Sequence, residues 1–217
     1  MSIAFFDLDR TLLAVNSATL WIRREVRLGH LSRANALRGA WWVGLYQLGF
    51  AEMETAIARA VLTLEGIAEI AIRERTLAFW RDDVQPLIRP GARRALEEHR
   101  ALGHKIYLLT SSSCYLSEAV SEELGLDGYL ANRFEVQSGV FTGRPLPPLC
   151  YGSGKVLHAT KLAEELGVPL EECSFYTDSY SDLPMLEVVG TPVAVHPDPR
   201  LARLARRRGW RVETWDA

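Results

Sequence analysis

Short apolar runs alternate with longer amphipathic segments over much of the chain. The first run, Ile3–Leu8, begins almost at the first residue, and its length and two Phe residues favour a buried strand. Further strand-like runs occur at Lys105–Thr110, Cys173–Asp178 and Thr191–His196, and Tyr129–Thr142 reads as a small hairpin or flap. Because helical segments separate the runs, the pattern predicts a parallel α/β sheet with right-handed crossovers.

A long helical stretch interrupts this alternation after the first predicted strand. It spans residues 17–84, and breaks marked by glycine divide it into about four helices. The strand before it and the strands after it belong to one sheet, so the stretch is an insertion. We therefore expect a Rossmann-like α/β core, residues 1–14 and 86–217, with an inserted four-helix-type cap, residues 15–85.

The composition is that of a folded globular protein. Of the 217 residues, 48% are hydrophobic and 24% are charged, which excludes collagen-like, disordered and disulfide-scaffold classes. The net charge of −2, from 25 Lys and Arg against 27 Asp and Glu, gives no reason to expect a nucleic-acid partner.

Targeting signals and cysteine spacing indicate the cellular compartment in which a protein folds. The N-terminal apolar run lacks a basic leader, and no stretch of about 18 apolar residues occurs, so we expect neither a signal peptide nor a transmembrane segment. The widely spaced Cys114, Cys150 and Cys173 form no metal-binding or disulfide framework. Both observations favour the reducing cytoplasm.

Polar clusters stand at the ends of the predicted strands. Asp7 and Asp9 follow the first, Thr110 opens a Ser run after the second, and Asp178 ends a later one. In an open α/β sheet, ligands collect at the carboxyl ends of the strands. Carboxylates from two strand ends suit Mg²⁺, while a hydroxyl and the ammonium of Lys155 suit a tetrahedral anion.

Each cluster taken alone also has a structural explanation. An Asp-x-Asp segment or a Thr-Ser run often caps a turn or a helix, and Lys155 could be a solvated surface charge. Asp178 and Asp182 could simply favour the dipole of a helix start. Their occurrence together, in this order and at strand ends, makes chance a poor explanation.

The motifs resemble those of the haloacid dehalogenase-like (HAD) hydrolases over essentially the whole chain. FFDLDRTLL is similar to the first motif (D-x-D-x-T), LLTSSS to the second, GSGK with Lys155 to the third, and YTDSYSDLPML to the fourth. The helical insertion matches the cap of the subclass that contains phosphoserine phosphatases. The resemblance implies a Mg²⁺-dependent phosphomonoester hydrolase that acts on a small phosphorylated metabolite, of the phosphoserine or histidinol-phosphate kind.

The resemblance also implies a role for each acidic residue in the motifs. Asp7 would be the nucleophile that forms an aspartyl-phosphate. Asp9 would protonate the leaving alcohol and then activate water, and its backbone carbonyl would reach the metal. Asp178 would complete the Mg²⁺ site, and Asp182 would orient metal-bound waters or Lys155.

Phosphate binding falls to a second group of residues in the resemblance. Thr110 and the backbone N–H of Ser111 would hold phosphoryl oxygens, and Lys155 would neutralise their charge. These roles agree with the chemistry of phosphoryl transfer. A carboxylate that attacks a phosphate dianion needs cations and hydrogen bonds that offset the repulsion between like charges.

Three positions depart from the family pattern and are candidates for substrate specificity. Arg10 stands where the family usually has a small residue. Asn16 lies where phosphoserine phosphatases carry a Glu that binds the substrate ammonium, and Ser181 stands where they have Asn.

The aromatic segment Leu37–Phe50, with Trp41 and Trp42, leaves several interpretations open. It could anchor the protein at an interface, form an aromatic wall for substrate, or pack the cap core. It could also form a subunit contact, which would make a homodimer through the cap.

Two other activities fit the same motifs. A phosphotransferase would pass the phosphoryl group from Asp7 to an alcohol other than water. A non-catalytic signalling module, such as a receiver domain, also combines an aspartyl-phosphate with Mg²⁺, Thr or Ser, and Lys. Asp9 and the long helical insertion argue against the signalling module.

Overall fold

The computed structural model describes residues 2–32 and 53–216 of the chain. The aromatic segment Leu37–Phe50, and with it the predicted contact between subunits through the cap, lies outside these residues. Within the described ranges, no helix has the length and apolar character needed to cross a bilayer.

The described strands form one sheet, whose order is β4-β3-β2-β1-β5-β6-β7 when they are numbered along the chain. Neighbouring strands are parallel except for β3 and β4, which form an antiparallel hairpin. The strands are β1 (Ile3–Phe6), β2 (Lys105–Ser113), β3 (Gly128–Gln137), β4 (Val140–Leu146), β5 (Ser174–Thr177), β6 (Thr191–Val195) and β7 (Arg211–Glu213). The predicted α/β class with a mostly parallel sheet is confirmed.

Helices fill the connections between the strands. In the described part of the chain they are α1 (Ser17–Arg27), α2 (Met53–Leu62), α3 (Glu69–Phe79), α4 (Pro90–Ala101), α5 (Cys114–Leu124), α6 (Ser153–Leu166), α7 (Leu183–Leu186) and α8 (Pro199–Arg208). Three of them, α1 to α3, belong to the predicted insertion. The remaining predicted helix of the insertion falls within residues 33–52, outside the described ranges.

Strand β1 is buried on both faces of the sheet. Phe6 joins one apolar cluster and Phe5 joins the cluster on the opposite face, and neither side chain is exposed. A strand covered on both sides has no polar face, which explains why Ile3–Leu8 reads as a continuous apolar run.

Strand β2 is longer than the sequence predicts. The sequence predicts a strand over Lys105–Thr110, but β2 continues to Ser113, which pairs with Asn132 of β3 after a shift in register. Ser113 then caps α5 by accepting a hydrogen bond from the N–H of Leu116 at 3.4 Å. The prediction of the boundary was wrong because pairing with a distant strand overrides the local preference of Ser for a helix start.

The β3–β4 hairpin is attached to the inserted helices by backbone pairing. Ala68, just before α3, forms an antiparallel bridge with Val140 of β4. The N–H of Glu69 donates to the carbonyl of Gly139 at 2.9 Å, and the N–H of Phe141 donates to Ile67 at 2.9 Å. The end of the insertion before α3 is thus tied to the hairpin.

His99 of α4 is buried beneath the sheet beside β1 and β5. Its ring packs against Phe6, its Nε2 lies 2.9 Å from the hydroxyl of Tyr176, and its Nδ1 lies 2.8 Å from Nδ1 of His104. Burial lowers the pKa of His99 to about 4, and the neighbouring His104 and Arg211 act in the same direction. The imidazole is therefore neutral in the folded protein at physiological pH.

The low pKa of His99 predicts a loss of stability in mild acid. An unfolded His titrates near its ordinary pKa of 6.5, so between about pH 6.5 and 4 the unfolded chain binds a proton that the native state does not. We expect this group to lower the free energy of unfolding by up to about 3 kcal/mol over that interval. Urea unfolding of wild type and His99→Gln at pH 7.5 and 4.5 tests this. Equal pH dependence in the two proteins would contradict the prediction.

Candidate active site

A buried ion pair joins two of the predicted motifs. Asp7 follows β1 directly, and its backbone N–H donates to the carbonyl of Tyr176 in β5 at 2.9 Å. Its Oδ1 accepts a hydrogen bond from Nζ of Lys155 at 2.8 Å, and the two residues are only 6% and 2% exposed. A carboxylate and an ammonium far apart in the chain thus meet at one edge of the sheet.

Gly154 allows the helix that carries Lys155 to begin in this place. Lys155 lies in the first turn of α6, where a Cβ built on Gly154 would lie 1.9 Å from the backbone oxygen of Leu149. The preceding chain therefore approaches the helix more closely than any larger residue would permit. This contact explains why the second glycine of the GSGK segment, Gly154, cannot be a larger residue.

A second carboxylate shares the ammonium of Lys155. Its Nζ also donates to Oδ2 of Asp182 at 2.8 Å, and the hydroxyl of Thr177 donates to the same oxygen at 2.6 Å. Thr177 is fully buried and was not predicted as a site residue. Its only sequence signal was its place at the end of an apolar run, next to Asp178.

Asp178 lies at the same edge, directly after β5. Its backbone N–H donates to Oγ1 of Thr11 at 3.0 Å, which links the first and fourth motifs. Burial raises the pKa of its carboxyl to about 7, with the charge of Asp182 adding to the effect and Arg10 opposing it. The structure thus brings Asp178 into the electrostatic environment of the other carboxylates.

Asp9 connects the strand edge to the inserted helices. Its Oδ1 accepts a hydrogen bond from the backbone N–H of Ser17 at 2.7 Å, at the first residue of α1. Burial raises the pKa of Asp9, while the hydrogen bond from Ser17 opposes that shift. The side chain of Asp9 is therefore oriented by the start of the insertion.

Thr110 and Ser111 lie at the end of the neighbouring strand. Thr110 is buried, and its Oγ1 accepts a hydrogen bond from the N–H of Ser112 at 3.2 Å. The carbonyl of Ser111 accepts from Nδ2 of Asn132 at 2.6 Å, and Oδ1 of Asn132 accepts from the N–H of Cys150 at 2.8 Å. Asn132 thus links β2 to the segment before α6, and sequence reasoning missed it because both partners are distant in the chain.

The candidate specificity residues occupy different environments. Asn16 caps α1, with its side-chain oxygen accepting from the N–H and the hydroxyl of Thr19, each at 3.0 Å. The hydroxyl of Ser181 lies 2.8 Å from that of Ser179. Arg10 is exposed and adopts a positive φ of 60°, a conformation that non-glycine residues rarely take.

The buried charges in this site do not balance. Burial raises the pKa of Asp7 to about 8, Lys155 opposes the shift, and Asp182 and Asp178 add to it. Burial alone would lower the pKa of Lys155, but Asp182 and Asp7 raise it above its usual value. One ammonium therefore serves several carboxylates, and the site favours additional positive charge.

These residues fit a magnesium ion. The side chains of Asp7 and Asp178 and the backbone carbonyl of Asp9 are oxygen donors of the kind that Mg²⁺ prefers, and a divalent cation would offset the excess negative charge. Across the described residues, no group of three or more His, Cys, Asp or Glu side chains is arranged to hold a metal. The expected donor set is two carboxylates and one main-chain oxygen, with one oxygen of the Asp9 carboxylate engaged by the N–H of Ser17.

A comparison with protein families identifies the chain. The family model for haloacid dehalogenase-like hydrolases matches residues 4–187. The chain belongs to the HAD hydrolases. All four clusters of predicted site residues, at Asp7, Thr110, Lys155 and Asp178, fall within the matched range.

Proteins of similar sequence and a solved structure of similar fold cover nearly the whole chain. A Mycobacterium tuberculosis protein named phosphoserine phosphatase is 33% identical over 216 residues, covering 96% of this chain and 69% of its own length. A Neisseria meningitidis protein named histidinol-phosphatase is 26% identical, with 97% of each chain covered. A crystal structure of a Bordetella pertussis protein of unknown function superimposes with a TM-score of 0.90, at 28% identity and 97% coverage of both chains.

Proposed function

We propose that this HAD hydrolase is a Mg²⁺-dependent phosphomonoester hydrolase that works through an aspartyl-phosphate on Asp7. The observation that carries the proposal is the buried Lys155, which donates to both Asp7 and Asp182. It supplies positive charge beside a carboxylate at the point where a phosphate dianion would approach. The relatives named phosphoserine phosphatase and histidinol-phosphatase support the same reaction class.

The reaction proceeds in two displacements at phosphorus. A carboxylate oxygen of Asp7 attacks phosphorus, the bond from phosphorus to the ester oxygen breaks, and Asp9 protonates the departing alcohol. Asp9 then takes a proton from water, whose oxygen attacks the same phosphorus. The bond between Asp7 and phosphorus breaks, which releases inorganic phosphate and restores the carboxylate.

Fixed positive charges and donors stabilise the phosphoryl group during both steps. Lys155 offsets the repulsion between Asp7 and the phosphate, and Asp182 holds Lys155 in position. Thr110 and the N–H of Ser111 donate to phosphoryl oxygens as charge spreads over them. When bound by Asp7, Asp178 and the Asp9 carbonyl, Mg²⁺ supplies Lewis-acid polarisation of a phosphoryl oxygen.

The insertion acts as a cap that closes over this site. We assign residues 15–85 to the cap and the rest of the chain to the core. The two connections between them lie side by side, since Leu13 bridges to Ile88 and the N–H of Ala14 donates to Leu87 at 3.0 Å. Paired connections of this kind suit a hinge, and closure would exclude water while Asp7 is attacked.

The proposed substrates are small phosphate esters of amino-acid-like alcohols. Phosphoserine and histidinol phosphate are the first two to test, because relatives carry names for both activities. The side-chain oxygen of Asn16 already caps α1, and Asn16 brings no negative charge for a substrate ammonium. Phosphoserine and histidinol phosphate both carry an ammonium, so Asn16 does not separate them, and the release assay compares the two esters directly.

Phosphate release from both esters and from p-nitrophenyl phosphate tests the proposal. We expect sustained release with Mg²⁺, loss of release with EDTA, and recovery when Mg²⁺ is restored in excess. Transfer of phosphate to an added alcohol in preference to water would favour the phosphotransferase. A single phosphate bound per chain would favour the signalling module, and no reaction with any ester would overturn the proposal.

A further inference from the structure

The backbone after β5 determines where the Asp178 carboxylate lies. In the part of the chain that the structure describes, no side chain donates a hydrogen bond to that carboxylate. Its position therefore depends on the turn Asp178–Tyr180, which follows β5 within the fourth motif. A residue that fixes this turn fixes the backbone from which the carboxylate extends.

Asp198 holds this turn from both sides. Its backbone N–H donates to the carbonyl of Asp178 at 2.8 Å. Its Oδ2 accepts a hydrogen bond from the backbone N–H of Tyr180 at 2.6 Å. The two bonds therefore flank the turn, one at its first residue and one at its last.

Asp198 is itself held by helix α8. Its Oδ1 accepts from the N–H groups of Arg200 and Leu201 at 2.8 and 2.9 Å, so it is the N-cap of that helix. The guanidinium of Arg200 lies 4.1 Å from the centre of the Tyr180 ring, and Leu201 is fully buried. The helix start and the turn thus form one hydrogen-bonded unit.

We propose that Asp198 is a positioning residue of the metal site, which holds the Asp178–Tyr180 turn so that the Asp178 carboxylate stays beside Asp7. The residue lies outside all four motifs, just beyond β6 at the carboxyl edge of the sheet. It touches neither substrate nor metal and acts only through the turn. This inference rests on the proposed function, because it gives the Asp178 carboxylate a metal to bind.

The substitution Asp198→Ser separates the two tasks of the side chain. Ser is as good an N-cap as Asp, so it preserves the start of α8, but its single oxygen cannot also accept from Tyr180. The matched control is Leu201→Val, which loosens the same helix and keeps both oxygens of Asp198. A purely structural role predicts that the control lowers the melting temperature at least as much as Asp198→Ser and that neither variant alters Mg²⁺ binding.

Mg²⁺ binding without substrate is the deciding measurement, made by calorimetry on the intact wild type and both variants. We expect Asp198→Ser to raise the Mg²⁺ dissociation constant about 10-fold, as removal of a residue that orients a metal ligand does in other sites. Its kcat at saturating Mg²⁺ should stay near the wild-type value, and Leu201→Val should bind Mg²⁺ like wild type.

The outcomes distinguish this inference from the proposed function. If wild type binds Mg²⁺ and releases phosphate, and Asp198→Ser has an unchanged Mg²⁺ dissociation constant, the positioning role is wrong and the proposed function stands. An equal weakening of Mg²⁺ binding in Leu201→Val would also overturn it. A wild-type protein that neither binds Mg²⁺ nor releases phosphate would overturn both.

Discussion

Replacing Lys155 with Met is expected to lower the free energy of unfolding by about 3–5 kcal/mol and to abolish phosphate release. The ammonium is almost completely buried and donates to both Asp7 and Asp182. Without it, two buried carboxylates lose their counter-charge, and the phosphate loses a cation at the site of attack. Urea unfolding and phosphate release with Mg²⁺ measure the two effects.

The control for this substitution lies in the same helix. Lys161 is exposed on α6, so Lys161→Met should leave both stability and activity near wild type. The double variant Lys155→Met with Asp182→Asn should recover part of the lost stability, because it removes one unpaired charge, and none of the activity. If Lys155→Met is as stable as Lys161→Met, the buried ion pairs do not hold this edge of the sheet together.

Replacing Asp7 with Asn is expected to reduce phosphate release by at least about 10³-fold while the protein remains folded. The amide has nearly the same shape as the carboxylate, but it cannot form the aspartyl-phosphate. Burial already raises the pKa of Asp7 to about 8, so removing its negative charge relieves an electrostatic cost. Phosphate release, and retention of radiolabel from a phosphate ester on the denatured protein, measure the loss.

A carboxylate at the opposite edge of the sheet provides the control for Asp7→Asn. Asp127 pairs with Lys105 and accepts from the N–H of Ile106 at 2.8 Å, near the start of β2 and away from the strand ends that carry Asp7. Asp127→Asn should therefore retain activity. Substantial turnover and a labelled intermediate in Asp7→Asn would show that the nucleophile is another residue.

The α/β class and the edge of the sheet that carries the site follow from the sequence, because both depend on local patterns. A strand covered on both faces must be apolar throughout, as Ile3–Phe6 is. Parallel strands bring their carboxyl ends to one edge, so Asp7 and Asp178 had to lie near each other. The family resemblance placed Lys155 at the same edge.

The partners of buried polar groups could not be predicted in this way. Asn132 and Asp198 hold site segments through bonds to residues whose proximity exists only in the folded chain. Glu25 of α1 is a similar case, since it is a charged residue buried against Arg75 of α3. No local periodicity encodes which distant charge will cover such a residue.

The pairing of the β3–β4 hairpin with the inserted helices has a consequence for how this protein can be re-engineered. The bridge between Ala68 and Val140 and the bond from Glu69 to Gly139 make part of the core sheet a neighbour of the insertion. In a chimera that exchanges only the contiguous insertion with a relative, the hairpin of this chain would have to pair with the insertion of another protein. The natural unit of transplantation is discontinuous, and it comprises the insertion together with the hairpin that follows in the chain.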